Sequence, residues 1–125
     1  MKIGELAQKS GFTAHTLRYY EKIGLLPRAD RTFGQRNYGA ETLVWLAFIS
    51  RLKATDMPLA EMITYARLRA KGASTLTARR DLLAAHRKRV KAHVALLQES
   101  LAVLDKKIST YAADQKRAKE NESHK

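Results

Sequence analysis

The chain has 125 residues, no cysteine, and 24 Lys and Arg against 12 Asp and Glu, a formal net charge of +12. That length suits one compact unit plus an extension rather than two full domains, and that charge favours phosphate-rich partners. Without a thiol the chain has no disulfide and no thiolate chemistry. No long apolar run or cleavage-like site opens it, so the expected location is the cytoplasm, with no membrane partner.

Ile3, Leu6 and Ala7 are helically spaced, and Ser10-Gly11-Phe12 interrupts the pattern. Thr13 restarts it as an N-cap, and Gly24 followed by Pro27 ends it. Within this second helix Leu17, Tyr20 and Gly24 follow one face, while His15, Arg18, Tyr19 and Lys22 follow another. One face can pack on a core while the other offers cations, a phenol and an imidazole to a polyanion. Two short helices joined by a tight turn read as helix-turn-helix, whose second helix enters the major groove.

The stretch from Arg28 to Tyr38 has no helical period and carries Arg28, Arg31 and Arg36 around Gly34. A hairpin turning near Gly34 fits, because glycine accepts positive φ. Directly after a recognition helix, a basic hairpin is a wing that holds phosphate through its arginines. The expected DNA-binding set is therefore Thr13, His15, Thr16, Arg18, Tyr19, Tyr20, Lys22, Arg28, Arg31, Arg36 and Tyr38. In that set Tyr20 and Lys22 lie near the backbone, and Arg31, Arg36 and Tyr38 hold the wing on phosphates.

These residues carry a resemblance. Ile3-Gly-Glu-Leu-Ala7, Thr13 through Leu26, Arg36-Asn-Tyr38, Glu41-Thr-Leu43 and Met57-Pro-Leu-Ala-Glu-Met62 resemble the MerR family of bacterial transcription regulators. The resemblance implies a winged helix-turn-helix head on an antiparallel dimerisation helix. It also implies that the dimer bends and untwists a promoter whose two polymerase elements are spaced too far apart, acting on RNA polymerase only through the DNA. In length and around the long helix the chain looks like the small aldehyde-responsive members, yet Phe48-Ile-Ser-Arg-Leu52 holds no thiol.

Residues 41–71 read as two further helices. Leu43 through Leu52 is apolar almost all round, which implies burial on several sides, with Trp45 and Phe48 as core anchors. Pro58 suits the first turn of the next helix, whose packed stripe is Leu59, Met62, Ile63 and Ala66. Tyr65 and Arg69 on that helix either line a pocket beneath the long helix or simply pack.

A hinge is expected over 72–76, and a long helix over 77–113. Leu83, Val90, Leu97, Leu104 and Tyr111 recur every seven residues, and Arg87, Val94, Leu101 and Ile108 complete a 4-3 pattern. At 1.5 Å per residue this helix spans roughly 54 Å, too long to bury its stripe on a small head. A second copy of the chain is the natural partner, with these nine residues as the interface. Parallel pairing would bring Arg87 and its basic neighbours together at the axis, whereas antiparallel pairing sets them near the partner's acids. From Asp114 onward only Ala118 is apolar, so 114–125 is expected to be frayed or disordered.

The fold class expected is thus all-α with a small wing, comprising a head over 1–71 and the long helix. The function expected is a homodimeric, sequence-specific regulator on a pseudo-palindromic promoter, with neither cofactor nor metal. Enzymatic residues are lacking, with no glycine-rich phosphate loop and no carboxylate pair on a recognisable site. His86 and His93 share a helix face, but a metal site would need further ligands. Two rival readings stand beside this one: a nonspecific architectural nucleic-acid coat and a coiled-coil adaptor for other proteins.

Overall fold

A computed structural model describes residues 1–32 and 34–123, and for Thr32, Gln35 and Arg36 the backbone alone. Among the described residues, α1 (Ile3–Ser10), α2 (Ala14–Ile23), β1 (Asp30–Thr32), β2 (Gln35–Asn37), α3 (Ala40–Ala54), α4 (Leu59–Ala70) and α5 (Leu76–Ser123) follow in chain order. A 3₁₀ turn (Ala73–Thr75) precedes α5. The expected class, a helical protein with a small wing and one long C-terminal helix, is the class observed. The chain divides into two compact units, Met1–His86 and Arg87–Lys125.

The first unit is organised by local chain chemistry. Gly11 closes α1 at φ 80°, a left-handed conformation that costs glycine no Cβ clash. Thr13 then caps α2, its hydroxyl oxygen accepting the Thr16 N–H at 3.1 Å. Gly24 ends α2 at φ 86°, and the N–H groups of Leu25 and Leu26 both reach the Tyr20 carbonyl, at 2.9 and 3.1 Å. That reversal turns Leu25 and Leu26 inward, where both are fully buried with Leu6, Leu17, Leu46 and Ile49.

α3 lies at the centre of this core. Four of its residues, Trp45, Leu46, Ile49 and Leu52, are buried and Leu43 and Phe48 partly so, whereas Val44, part of the same apolar run, is 73% exposed. The Trp45 indole donates to the Leu25 carbonyl at 2.9 Å, so the loop after α2 is pinned to α3. Tyr65 stacks on Trp45 at 5.9 Å with an 8° interplanar angle, and the Arg69 guanidinium lies 4.4 Å from the indole centroid. Tyr65 and Arg69 therefore pack on α3. Asp56 turns the chain at φ 60°, Pro58 occupies the cap position of α4, and Met62 is buried below.

The 72–76 segment is a hydrogen-bonded joint. The buried Thr75 hydroxyl lies 2.6 Å from the Leu68 carbonyl and 2.8 Å from that of Gly72. Arg79, a turn into α5, donates to both Thr75 Oγ1 and the Gly72 carbonyl at 3.1 Å. His86 is 6% exposed, and its Nε2 is 2.7 Å from Thr55 Oγ1 at the end of α3. Leu83, expected in a dimer seam, packs with Leu82 against the core of its own head. Its heptad position is that of the seam, while in the single chain it is half-buried on the head.

Within the second unit α5 continues as helix to Ser123, where the composition predicts fraying from 114. Ala, Gln, Lys, Arg and Glu dominate 112–120, and all are strong helix formers. Arg117 also pairs with Asp114 at 2.9 Å, one turn back. Lack of apolar residues removes a packing partner without removing helix propensity. The stripe itself is uncovered: Val94, Leu97, Leu101, Leu104, Ile108 and Tyr111 are all at least 46% exposed, Arg87 is exposed and Val90 half-buried.

Loss of the α2 cap is measurable on the folded head. Thr13→Ala is expected to cost about 1 kcal/mol in urea unfolding, and Thr13→Ser to restore most of it. Equal midpoints for all three proteins would remove the cap from the account.

Candidate nucleic-acid interface

α2 sorts its residues by face, because each residue advances the helix by about 100°. Leu17 and Tyr20 point into the core, while His15, Arg18, Tyr19 and Lys22 are exposed on the other side. Thr13 and Thr16 stand at the leading end, joined by a hydroxyl–hydroxyl bond of 2.9 Å. The exposed face presents two cations, the imidazole of His15 and the phenol of Tyr19, which is 47% exposed.

The wing follows at once. β1 and β2 pair antiparallel with Asp30 opposite Asn37, Arg31 opposite Arg36 and Thr32 opposite Gln35, and Gly34 turns between them at φ 78°. Its exit is anchored to the start of the chain. Tyr38 N–H donates to the Met1 carbonyl at 2.7 Å, and the Met1 amino group donates to the Tyr38 carbonyl and to Asn37 Oδ1. Arg28 and Arg31 are exposed; the Arg36 side chain lies outside the described residues.

Between α2 and the wing root is a hollow of about 310 Å³ lined by Arg18, Glu21, Lys22, Arg28, Ala29 and Arg31. Four cations face one carboxylate there, and that carboxylate is engaged, since the Tyr38 hydroxyl donates to Glu21 Oε2 at 2.9 Å. A cationic hollow flanked by an exposed polar helix face suits a phosphate backbone, with side chains beside it free to reach base edges.

Two of the expected contacts are largely packed. Tyr20 and Tyr38 are 5% and 4% exposed, and their rings belong to the core, so only their hydroxyls are placed towards the hydrogen-bonding side chains of Lys53 and Glu21. Tyr20 comes three residues after Leu17 and shares its inward stripe. Tyr38 is drawn inward by the backbone bonds to Met1, leaving only its hydroxyl at the hollow's edge. The remaining described members, Thr13, His15, Thr16, Arg18, Tyr19, Lys22, Arg28 and Arg31, gather on α2 and the wing.

Sequence reasoning missed Glu21 and Lys53. Lys53 on α3 donates to the Tyr20 hydroxyl at 3.0 Å and lies 5.6 and 5.7 Å from the Phe12 and Tyr20 ring centroids. It thereby ties α3 to the turn and to the second helix of the helix-turn-helix. No local signal marks it, because a lysine more than thirty positions from Tyr20 is indistinguishable in sequence from a solvated one. Among the described residues no group of three His, Asp or Glu converges to hold a metal ion, and no helix is long and apolar enough to cross a membrane.

Comparison with known proteins agrees with this geometry. Residues 1–68 match the family model described as "MerR HTH family regulatory protein", and residues 43–107 match "MerR, DNA binding". The chain is 37% identical over 91 residues to the HTH-type transcriptional regulator AdhR of Bacillus subtilis, a match covering 72% of this chain and 65% of AdhR. It is 36% identical over 106 residues to an uncharacterized HTH-type transcriptional regulator of Haemophilus influenzae, covering 84% and 78%. Among solved structures, a putative MerR family transcriptional regulator from Listeria monocytogenes superposes with a TM-score of 0.89 at 38% identity, covering 97% of this chain and 92% of that one. HiNmlR, described as a MerR family regulator lacking the sensor domain and bound to promoter DNA, superposes with a TM-score of 0.79 at 34% identity, covering 88% of each.

The buried phenol gives a test of the hollow's construction. Tyr38→Phe deletes a bond to a carboxylate, and is expected to cost about 1.5–3 kcal/mol in urea unfolding with the helix content unchanged. An unaltered midpoint would mean that the Tyr38–Glu21 bond is not made in solution.

Proposed function

The chain belongs to the MerR family of helix-turn-helix transcriptional regulators, and from that premise we propose that it works as a homodimer on a pseudo-palindromic promoter. The observation that carries this reading is the cationic hollow between α2 and the wing, beside the exposed His15, Arg18 and Tyr19. Each head would set α2 in the major groove of one half-site, with Arg28, Arg31 and Arg36 of the wing on flanking phosphates. Arg18 and Tyr19 are the proposed base-proximal readers, and Lys22 a backbone contact.

α5 is the proposed dimerisation element, because its uncovered stripe has no use in a single chain. A pair of heads held at fixed separation grips two half-sites at once and can bend and untwist the DNA between them. In that way the dimer acts on RNA polymerase through promoter geometry, in the cytoplasm and without enzymatic chemistry. HiNmlR, a MerR family regulator lacking the sensor domain and bound to promoter DNA, supports promoter binding by a chain of this architecture. With no cysteine in the sequence, any signal reaches this protein by a route other than thiolate chemistry.

Selection of bound genomic fragments followed by footprinting tests the reading: one recurrent sequence with two symmetric half-sites is expected. Binding with no sequence preference would favour a nonspecific coat, and no binding would favour an adaptor. On the recovered operator, Arg18→Ala is expected to weaken binding by about 1.5–3 kcal/mol per head while leaving the fold intact. An unchanged affinity at moderate salt would move the DNA face elsewhere.

The wing should behave differently from the helix. Arg28→Ala or Arg31→Ala is expected to lower affinity for operator and random DNA alike, flattening the salt slope by about one unit for each phosphate no longer neutralised. A shift in base preference at constant slope would make the wing a reader of bases.

A further inference from the structure

A second hollow, of about 190 Å³, lies where the root of the wing meets α3 and α4, wholly within the first unit. Pro27 and Trp45 give it an apolar wall, and Arg28, Asp30, Glu41 and Arg69 give it charge. Among the described residues, none of those four charged side chains makes a hydrogen bond or an ion pair. Two cations and two carboxylates thus line one small space without neutralising one another in pairs.

One charge of each sign is held in place. The Arg69 guanidinium lies 4.4 Å from the Trp45 indole centroid. Stacking fixes the plane of a guanidinium and leaves its N–H edge open to a carboxylate. Glu41 is held by a different device. Gly39 has no Cβ, and the Glu41 carboxylate occupies the place where one would stand, folded back over the first turn of α3. The unpaired N–H groups of a helix start favour a negative charge there. We propose that this hollow binds a free α-amino acid, its carboxylate on Arg69 and its ammonium on Glu41, and that the bound molecule weakens the wing's hold on DNA.

Size and charge together select this class of ligand. The hollow has the liquid volume of about six water molecules and falls below the roughly 300–1,000 Å³ of sites for drug-sized ligands. A simple anion would meet Asp30 and Glu41 without a partner for them, and a simple amine would do the same to Arg28 and Arg69. A small molecule carrying both charges satisfies both pairs, and an apolar side chain on it can lie against Pro27 and Trp45. The effect on DNA follows from Arg28, which lines this hollow and also the cationic one beside α2. A carboxylate bound next to Arg69 competes with a DNA phosphate for the Arg28 guanidinium, and by linkage DNA lowers the affinity for the amino acid by the same factor. That consequence rests on the DNA reading of the wing given above; the binding of the amino acid does not.

Trp45 is the single tryptophan of the chain, so its fluorescence reports on this hollow alone. The full-length protein is titrated with each free L-amino acid other than tryptophan and tyrosine, and calorimetry on the same samples registers a ligand that leaves the emission unchanged. At least one amino acid should bind saturably with a Kd of about 1 mM or tighter. Removing either of its charges, by decarboxylation or by N-acetylation, should weaken binding about tenfold or more. Glu41→Gln should do the same, as should Gly39→Ala, whose new methyl group displaces the Glu41 carboxylate. Saturable binding by none of the amino acids, equal binding of an analogue with one charge, or wild-type affinity in Glu41→Gln overturns the site. A saturating amino acid should also weaken binding of a random-sequence duplex at low salt about fivefold or more. Unchanged DNA affinity with the amino acid bound overturns the competition for Arg28. A wild-type protein that binds no duplex even without amino acid would sink the DNA reading of the wing, an outcome separate from the titration of Trp45.

Discussion

The hydrogen bond from the Trp45 indole to the Leu25 carbonyl is the constraint through which the head is assembled. Leu25 lies just past the glycine that ends the recognition helix, and Trp45 lies in the middle of the central helix. A bent loop carrying Leu25 and Leu26 into the core would leave a buried carbonyl unsatisfied, at a cost comparable to a whole hydrogen bond. The indole N–H meets that carbonyl. The same ring carries Tyr65 on its plane and Arg69 near its centroid, so one side chain joins α2, α3 and α4.

From this anchor the cationic hollow follows. Because the end of α2 is fixed to α3, the chain leaving it returns beside α2 as a hairpin, and the hairpin's exit is held by the Met1 backbone. Tyr38 is thereby buried with its hydroxyl on Glu21, which places a carboxylate among Arg18, Lys22, Arg28 and Arg31. Four cations so close together repel one another, and a single carboxylate both relieves that repulsion and leaves the hollow positive. Lys53 adds a second tie from α3 to Tyr20. The face that meets solvent thus owes its geometry to tyrosines that do not.

Much of the head is legible in the residues. Thr13, Gly24 and the 3/4 spacing of Leu17 and Tyr20 announce the bounds and inner face of α2, since capping and periodicity act within one turn of helix. Gly34 between basic residues announces the wing. Tyr20 and Tyr38 escape such reading because a tyrosine is amphipathic: the same residue serves as a surface donor or as a core ring with its hydroxyl at the rim. Leu83 escapes it for a related reason, as a heptad position states which helix face an apolar residue occupies but not what covers it. The tail is helical against expectation because missing apolar residues remove packing, while helix propensity along 112–120 persists.

By itself the sequence determined the bounds and inner face of α2 and the place of the wing, together with the charge that suits a polyanion. These depend on interactions between residues within a few positions of one another. Only the tertiary structure decided that Trp45 reaches Leu25, that Tyr38 reaches Glu21 and that Lys53 reaches Tyr20. Those bonds join residues 17 to 33 positions apart, and their geometry depends on how four helices fill one core. No periodicity encodes such distances, because close packing is a property of the assembled volume and not of any one segment.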